Sequence, residues 1–283
     1  MLLTVFTLIS RLPIALLQSL GWLAGWLAWF FSPRNRRIQT ENMLQAALLH
    51  ARTPAIGEQG ISAIEMFAHW LRPIPELLKN VQREGWEHVE AALATGRPII
   101  FVSPHLGALE MTGVCVAGWI ERTLAPLYRP PKQAFLEPLM IASRSRSGAQ
   151  PAPANAAGVR VLLKTLKQGG VAYLLPDQAP GAGEGIWAPF FGRPAYTMTL
   201  VARLATATNA IVLPCYTRRL GIGQGYCFHV QPLIGELTGN AAQDAATMNA
   251  NMEDLIRQAP AQYLWSYNRY KHPAGAPLPE EHT

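Results

Sequence analysis

The sequence predicts an α/β fold, in which helices flank a mixed, largely parallel β-sheet and an apolar helix precedes the sheet. Short continuous apolar runs, of which Ile99–Val102 is the clearest, alternate with longer segments of helical periodicity. Such alternation is typical of parallel strands joined by crossover helices. The runs are apolar at every position, as expected of strands that are buried on both faces.

The amino-terminal segment predicts contact with a membrane. Between Arg11 and Arg34 lie 22 residues without a charge, rich in leucine and tryptophan. A helix of about 20 such residues covers the hydrocarbon core of a bilayer. Bulky aromatic residues and then three arginines end the segment, whereas a cleavable signal peptide ends in small residues, and the arginines favour a cytoplasmic flank. We expect residues 1–33 to form an anchor that spans the bilayer or lies in its interface; the alternative is a buried core helix.

The rest of the chain divides into predicted elements. Helical periodicity covers residues 36–95 and stops at Pro73 and Pro75. One domain is expected over residues 34–273 and a disordered tail over residues 274–283. Strands are predicted at residues 99–102, 124–128, 171–175, 211–217 and 226–232, and helices at residues 107–122, 132–143, 158–167, 200–208 and 241–258, with a hairpin turn at residues 221–225.

Composition narrows the class of partner. Charged residues make up 15% of the chain, against about 25% in ordinary soluble domains. The net charge of +6 indicates an acidic partner, which is nucleic acid, anionic lipid or an acidic protein. The three cysteines have no ligand-like spacing, which argues against a disulfide framework. The glycines of residues 181–185 lack the end of a nucleotide-binding motif, and no zinc motif or P-loop is present.

His105 and Glu110 are the strongest candidates for chemistry. They follow the strand 99–102, across a proline and a glycine that opens a helix. Two side chains five positions apart point in different directions on a regular strand or a regular helix. A turn between a strand and a helix can bring such side chains together. A histidine oriented by a carboxylate is a good general base, and without a serine nucleophile motif its proton source is a substrate hydroxyl. The alternative is a packed histidine and a solvated glutamate, and the residues alone leave both open.

The order of motifs along the chain resembles a known family. His105 and Glu110 match the H-x4-D/E motif of glycerolipid-type acyltransferases, and the whole chain is similar to the late acyltransferases of lipid A biosynthesis. The further matching segments, in order, are Tyr128-Arg129-Pro130, Arg144-Ser145-Arg146, Asp177-Gln178, Pro189-Phe190-Phe191-Gly192 with Thr197, Tyr263-Leu264-Trp265 and Arg269-Tyr270-Lys271.

The resemblance implies a membrane-bound acyltransferase. Its catalytic domain would lie on the cytoplasmic face of a bacterial inner membrane. The acyl donor would be a thioester of acyl carrier protein, and the acceptor a phosphorylated, glucosamine-based glycolipid. No metal or redox cofactor is expected. Anionic membrane lipids and the acidic carrier protein would account for the net positive charge.

Supporting roles are expected for seven further residues. Asp177 and Gln178 follow a predicted strand and by resemblance line the active site, where Asp177 would hold the acceptor or orient the histidine; the alternative is a turn aspartate. Arginines would pair with phosphate, or else be solvated on a helix face. Adjacent phenylalanines would floor an acyl pocket, or else pack in the core. The arginines are Arg129, Arg144 and Arg146, and the phenylalanines are Phe190 and Phe191.

Three other functions stay open from the sequence. The same chemistry fits another acceptor, such as a lysophospholipid or a different glycolipid. A membrane protein that binds acylated lipid without turnover fits the anchor and the apolar composition. Nucleic-acid binding is supported by charge alone, and no recognised reading module accompanies it, so we expect no nucleic-acid partner.

Overall fold

A computed structural model describes residues 2–131 and 133–279, with side chains from residue 6 onward. Helices and strands alternate along most of the chain. The helices are α1 (Leu2–Ser10), α2 (Ile14–Phe31), α3 (Pro33–Gln45), α4 (Arg52–Leu71), α5 (Ile74–Leu78), α6 (Trp86–Ala94), α7 (Leu109–Trp119), α8 (Glu137–Arg144), α9 (Ala156–Lys167), α10 (Leu200–Thr208) and α11 (Ala241–Gln258). The strands are β1 (Val81–Glu84), β2 (Ile99–Val102), β3 (Leu124–Tyr128), β4 (Ala152–Pro153), β5 (Val171–Leu174), β6 (Gly185–Phe190), β7 (Arg193–Met198), β8 (Ile211–Arg219) and β9 (Tyr226–Val230).

Seven strands form one sheet in the order β1-β9-β8-β2-β5-β3-β4. Every neighbouring pair in it is parallel except β8 and β9, which form an antiparallel hairpin. Two apolar clusters, one on each face of the sheet, make up the core. The predicted α/β class with a mixed, largely parallel sheet is therefore confirmed.

The register of the central strands sets the position of the site. Strand β2 pairs with β5 on one side and with β8 on the other, and Val102 at its end faces Leu174 and Pro214. All four residues of β2 and of β5 are buried. Because parallel strands end at the same edge of a sheet, the residues that follow β2 and β5 meet there.

Predicted and observed elements agree best where the apolar pattern is strong. Strand β3 and helices α10 and α11 have the predicted bounds, and the turn at residues 221–225 does join two strands. The prediction of helix throughout residues 36–95 is wrong at β1, which pairs with β9, and β4 and the separate hairpin β6–β7 were not predicted. Strand β1 is mostly exposed, β4 has two residues, and β6 and β7 contain prolines, so none carries a buried apolar run. Lys132, the first residue of a predicted helix, lies outside the described residues.

The apolar amino-terminal segment is divided between two helices. Pro13 separates α1 from α2, which has 18 residues and is long and apolar enough to cross a membrane by length and composition. One face of α2 packs on α4. The two helix backbones lie so close there that a Cβ on Gly60 of α4 would lie 2.0 Å from the carbonyl oxygen of Gly21 in α2. The other face exposes large apolar side chains, namely Leu16, Leu20, Leu23, Leu27 and Phe30.

The chain beyond α11 crosses the sheet edge and continues to Pro279. The carbonyl of Pro277 accepts a hydrogen bond of 2.7 Å from the indole of Trp187 in β6. The last four residues, 280–283, lie outside the described part of the chain. The prediction of a disordered tail over residues 274–283 therefore remains a prediction.

Candidate active site

A histidine and a buried aspartate meet at the carboxyl ends of the two central strands. His105 lies three residues after β2, and Asp177 lies three residues after its neighbour β5. Nδ1 of His105 is 2.7 Å from Oδ1 of Asp177, and the backbone N–H of His105 donates to Oδ2 at 3.0 Å. Because one carboxylate accepts both bonds, the proton of the imidazole is held on Nδ1. Nε2 is then free to accept a proton, and the side chain of His105 is 21% exposed.

The charge state of Asp177 fits that role. Burial alone would raise the pKa of Asp177, but the adjacent His105 and its hydrogen bonds outweigh burial and lower that pKa. Asp177 therefore stays ionised at neutral pH. An ionised carboxylate at this position stabilises the imidazolium that forms when the ring takes up a proton.

Backbone contacts hold the loop that carries His105. Gly107 has a φ of +66°, and a Cβ there would lie 2.1 Å from the carbonyl oxygen of Thr217. The backbone N–H of Gly107 donates to Gln262, and that of Ala108 donates to Thr217. The carbonyl of His105 itself accepts a hydrogen bond of 3.0 Å from the N–H of Leu264. These contacts explain why a glycine stands between the histidine and helix α7.

Glu110 lies in the first turn of α7 and pairs with an arginine. Its Oε1 is 2.7 Å from a terminal nitrogen of Arg144 at the end of α8. Burial would raise the pKa of Glu110, but the charge and hydrogen bond of Arg144 outweigh burial and lower it. Both side chains line a narrow cleft of about 40 Å³, whose other walls are mainly apolar, including Leu109, Val114 and Leu175.

The hydrogen bonds of the structure give His105 and Glu110 other partners than the predicted pairing, which stays a prediction. Within the described residues the ring of His105 bonds to Asp177, and the carboxylate of Glu110 bonds to Arg144. The turn at Gly107 does bring both residues to the same edge of the sheet. The partner of the histidine, however, comes from the neighbouring strand, 72 positions along the chain. Of the two roles expected for Asp177, the geometry supports orientation of the histidine.

The other predicted site residues are distributed over three environments. Arg146 lines the cleft, but its guanidinium donates to the carbonyls of His69 and Arg72 at the end of α4, and burial lowers its pKa. Arg129 lines a separate cavity with Arg203. Gln178 is half-buried beside Asp177. Only Arg144 among the three arginines therefore contacts the predicted catalytic pair.

Phe190 and Phe191 are core residues. Their relative exposures are 2% and 6%, and their rings pack edge to face with centroids 4.9 Å apart. The prediction that they floor an acyl pocket is not supported, because both rings belong to the cluster that packs under the sheet. Arg269 is buried beside them and donates to Tyr196 and Thr197 of β7.

One residue that supports the loop was not predicted from the sequence. Arg219, at the end of β8, is 4% exposed and donates to the carbonyl of Gly107 at 2.7 Å. It also pairs with Glu65 at 2.6 Å and with Glu58 at 2.8 Å, both on α4. Arg219 is the second of two adjacent arginines at the end of a strand, and such a pair carries no sequence signal that one of them is buried. No group of three or more metal-ligating side chains occurs within the described ranges.

Fold and site together define a class of protein. A histidine base, oriented by a buried carboxylate at the carboxyl ends of a parallel sheet, is suited to take a proton from a hydroxyl and make it a nucleophile. The comparison with known families names the class more closely: residues 1–272 match the family described as bacterial lipid A biosynthesis acyltransferase. The chain belongs to that family.

Individual relatives agree with the family. A lipid A biosynthesis acyltransferase of Haemophilus influenzae is 28% identical over 69% of this chain, and the match spans 60% of that relative's length. The lipid A biosynthesis lauroyltransferase of Escherichia coli is 28% identical over 96% of this chain and 91% of its own. The lipid A biosynthesis palmitoleoyltransferase of Escherichia coli is 28% identical over 92% of this chain and 87% of its own length.

Proposed function

We propose that this protein transfers a fatty acyl chain from a thioester of acyl carrier protein to a hydroxyl of a lipid A precursor. The observation that carries the proposal is the imidazole of His105, which Asp177 fixes through Nδ1 so that Nε2 can take up a proton. Glu110 and Arg144, which line the apolar cleft, follow on the helix after the same loop and on α8. The names of the relatives supply the acceptor class. The protein would act at the inner membrane, with its sheet on the cytoplasmic side.

The proposed reaction is a direct transfer with one base. Nε2 of His105 removes the proton of the acceptor hydroxyl, whose oxygen attacks the thioester carbonyl carbon. The tetrahedral intermediate collapses with cleavage of the carbon–sulfur bond. The proton on His105 then passes to the thiolate of the carrier, which leaves an ester and a free thiol. Asp177 stabilises the imidazolium between these two steps.

Arg144 is the proposed donor to the oxyanion. The backbone N–H groups from His105 to Ala108 already donate to Asp177 or to backbone carbonyls. Arg144 uses one terminal nitrogen for Glu110, and its remaining N–H groups have no hydrogen bond in the described part of the chain. Glu110 then acts as a positioning residue that holds the guanidinium in place. Donors fixed in this way stabilise charge in the transition state strongly.

The apolar part of the cleft is the proposed site of the acyl chain. Its walls come from α5, α7, β3 and the end of β5, and a hydrocarbon chain bound there would begin at the Glu110–Arg144 pair. Burial of each methylene contributes about 0.8 kcal/mol. At about 40 Å³ the cleft is too narrow for a long chain, so binding requires the side chains to move apart.

The test is transfer with purified protein in detergent. The assay would use acyl carrier protein thioesters of graded chain length, with a lipid A precursor or a lysophospholipid as acceptor. We expect transfer to the lipid A precursor, and its loss in His105→Ala. Transfer to the lysophospholipid alone would mean that the acceptor is a lysophospholipid and not a lipid A precursor. A His105→Ala variant that fully restores lipid A acylation in cells lacking the protein would favour a binder without turnover.

A further inference from the structure

The carboxyl-terminal segment, residues 262–267, lies against the loop that carries His105. The backbone N–H of Gly107 donates a 3.0 Å hydrogen bond to the carbonyl of Gln262. In the other direction, the N–H of Leu264 donates at 3.0 Å to the carbonyl of His105 itself. The loop after β2 is therefore held at two points by a segment that is distant in the chain.

The same segment also reaches the loop that carries Asp177. Ala179, two residues beyond Asp177, is 1% exposed, and its backbone N–H donates a 3.0 Å hydrogen bond to the hydroxyl oxygen of Tyr267. In the part of the chain that the structure describes, the backbone of residues 176–180 makes no other hydrogen bond. A buried N–H needs a partner, so the hydroxyl of Tyr267 fixes the position of this second loop.

Helix α3 holds the carboxyl-terminal segment in place. The side-chain amide of Asn42 donates 2.8 Å hydrogen bonds to the carbonyls of both Trp265 and Tyr267. Trp265 is 1% exposed, and its indole N–H donates to the carbonyl of Pro260 at 2.7 Å. Because its backbone is fixed in this way, Tyr267 has a defined position from which its hydroxyl contacts the second loop.

The relative position of the two loops controls the hydrogen bonds between His105 and Asp177. These bonds are 2.7 Å long from Nδ1 and 3.0 Å long from the backbone N–H. Catalytic groups have to be held to within about 0.5 Å, because a hydrogen bond weakens steeply when its geometry is lost. The carboxyl-terminal segment bonds to His105 itself and to the residue two positions beyond Asp177. It therefore connects the base to the residue that orients the base.

We propose that Tyr267 is a positioning residue, whose hydroxyl keeps Asp177 within hydrogen-bonding distance of His105. Tyr267 acts through Asp177 and needs no contact with a substrate. The consequence for the rate of acyl transfer rests on the proposed function. The placement of Asp177 does not, and it can be measured in the free protein.

The test compares Tyr267→Phe with the wild type and with Tyr270→Phe. The hydroxyl of Tyr270 also bonds to the backbone of a buried residue, since it donates to the carbonyl of Phe190 at 2.9 Å. That carbonyl belongs to β6 and not to the loop of Asp177. Each variant thus loses one hydroxyl and leaves the backbone of a buried residue without one partner.

Three measurements separate positioning from stability. The first is kcat and KM for acyl transfer. The second is the low-field proton NMR resonance of Nδ1–H of His105 in the free protein, identified by its absence from His105→Ala; such a resonance moves upfield when the hydrogen bond lengthens. The third is the melting temperature, which records the structural cost of each substitution.

We expect Tyr267→Phe to lower kcat about tenfold with KM unchanged, which corresponds to the energy of one hydrogen bond. The resonance of His105 should move upfield in the same variant. Tyr270→Phe should leave both kcat and the resonance unchanged. The melting temperature should fall by a similar amount in the two variants, because each loses one hydrogen bond to a buried backbone group.

An unchanged kcat and an unchanged resonance in Tyr267→Phe would overturn the inference. Equal losses of kcat in both variants would overturn it too, since they indicate a structural role alone. A rise in KM with kcat unchanged would also overturn it, in favour of substrate contact by Tyr267. If the wild type transfers no acyl chain but the resonance moves only in Tyr267→Phe, the proposed function fails and the positioning role stands. If the wild type transfers acyl chains and Tyr267→Phe does so equally well, only the positioning role fails.

Discussion

At the scale of single residues, the site consists of two carboxylates with different partners. Asp177 accepts two hydrogen bonds from His105, whereas Glu110 pairs with Arg144. Burial alone would raise the pKa of both carboxyl groups. Each pKa is lowered instead, because each carboxylate has a hydrogen-bond donor or a cation at 2.7 Å. The geometry thus gives the two acids separate partners: Asp177 orients the ring of His105, and Glu110 holds the guanidinium of Arg144.

Asp177→Asn should lower kcat by on the order of a thousandfold or more. An asparagine has one oxygen, so it cannot accept from both the backbone N–H and Nδ1–H of His105. The alternative tautomer places the proton on Nε2, where it blocks the base. Initial-rate kinetics would check this, with Asp254→Asn on α11 as the matched control. A kcat within a few-fold of wild type would contradict the orienting role.

Glu110→Gln and Arg144→Met should act as one unit. We expect Arg144→Met to lower kcat by about 10²- to 10³-fold, as loss of an oxyanion donor does, and Glu110→Gln to lower it by less. Because Glu110 acts through Arg144, the double variant should resemble Arg144→Met alone. A double-mutant cycle on kcat measures this. The prediction is contradicted if the effects of Glu110→Gln and Arg144→Met on kcat simply add. If Glu110→Gln is instead coupled to Asp177→Asn, Glu110 is favoured as the partner of His105.

At the scale of elements, the close contact of α2 with α4 holds the apolar helix on the protein. Glycines at the crossing allow the two backbones to touch: a Cβ on Gly25 would lie 2.3 Å from the carbonyl oxygen of Ile56. The face of α2 that points away from α4 exposes its leucines. One helix therefore offers a membrane-sized apolar surface while it remains packed on the body.

Gly60→Ala should loosen this contact. The new Cβ would lie 2.0 Å from the Gly21 carbonyl oxygen and 2.3 Å from the Gly25 nitrogen, and backbone atoms at those distances have to move. Overpacking of this kind destabilises by roughly 1–3 kcal/mol. Thermal unfolding would check it against Gly113→Ala, whose Cβ meets the ring of Tyr173 at an ordinary 3.7 Å. The control should gain up to about 1 kcal/mol, and an equal gain in both variants would contradict the prediction.

At the scale of the whole molecule, a buried ionic network joins the amino-terminal helices to the loop that carries His105. Gln18 of α2 donates to Glu65, Glu65 pairs with Arg219, and Arg219 donates to the carbonyl of Gly107. Burial alone would raise the pKa of Glu65. The charge of Arg219, together with the other partners of Glu65, outweighs burial and lowers that pKa. The network therefore depends on an ionised glutamate in the interior.

Glu65→Gln should destabilise the protein by roughly 3–5 kcal/mol at neutral pH, because it leaves the charge of Arg219 without its closest partner. The folded-state pKa of Glu65 lies below its unfolded value of about 4.3. Its contribution is thus fully present above that value and is lost as the pH falls through the folded-state pKa. Denaturant unfolding would measure the free energy of unfolding of both proteins at pH 7 and at pH 4 and below. The difference between wild type and variant should become smaller at the lower pH. Glu41→Gln, in an exposed pair with Arg37, is the control.

Features that depend on local pattern could be predicted from the amino-acid sequence. The continuous apolar runs of β2, β3 and β5 predicted buried parallel strands, and Pro104 and Gly107 predicted the turn that carries His105. The ordered motifs predicted the family that residues 1–272 match. Each of these is a property of neighbouring residues, or of their order along the chain.

Which side chains meet in the site depends on how the strands and helices pack in three dimensions. Nothing local states that β5 lies beside β2, and it is that pairing which brings Asp177 to His105 and leaves Glu110 to Arg144. The burial of Arg219 against Glu58 and Glu65 likewise arises from elements that are distant in sequence. Strand order follows from the free energy of packing the whole chain, so a pattern of residues predicts the strands without predicting their neighbours.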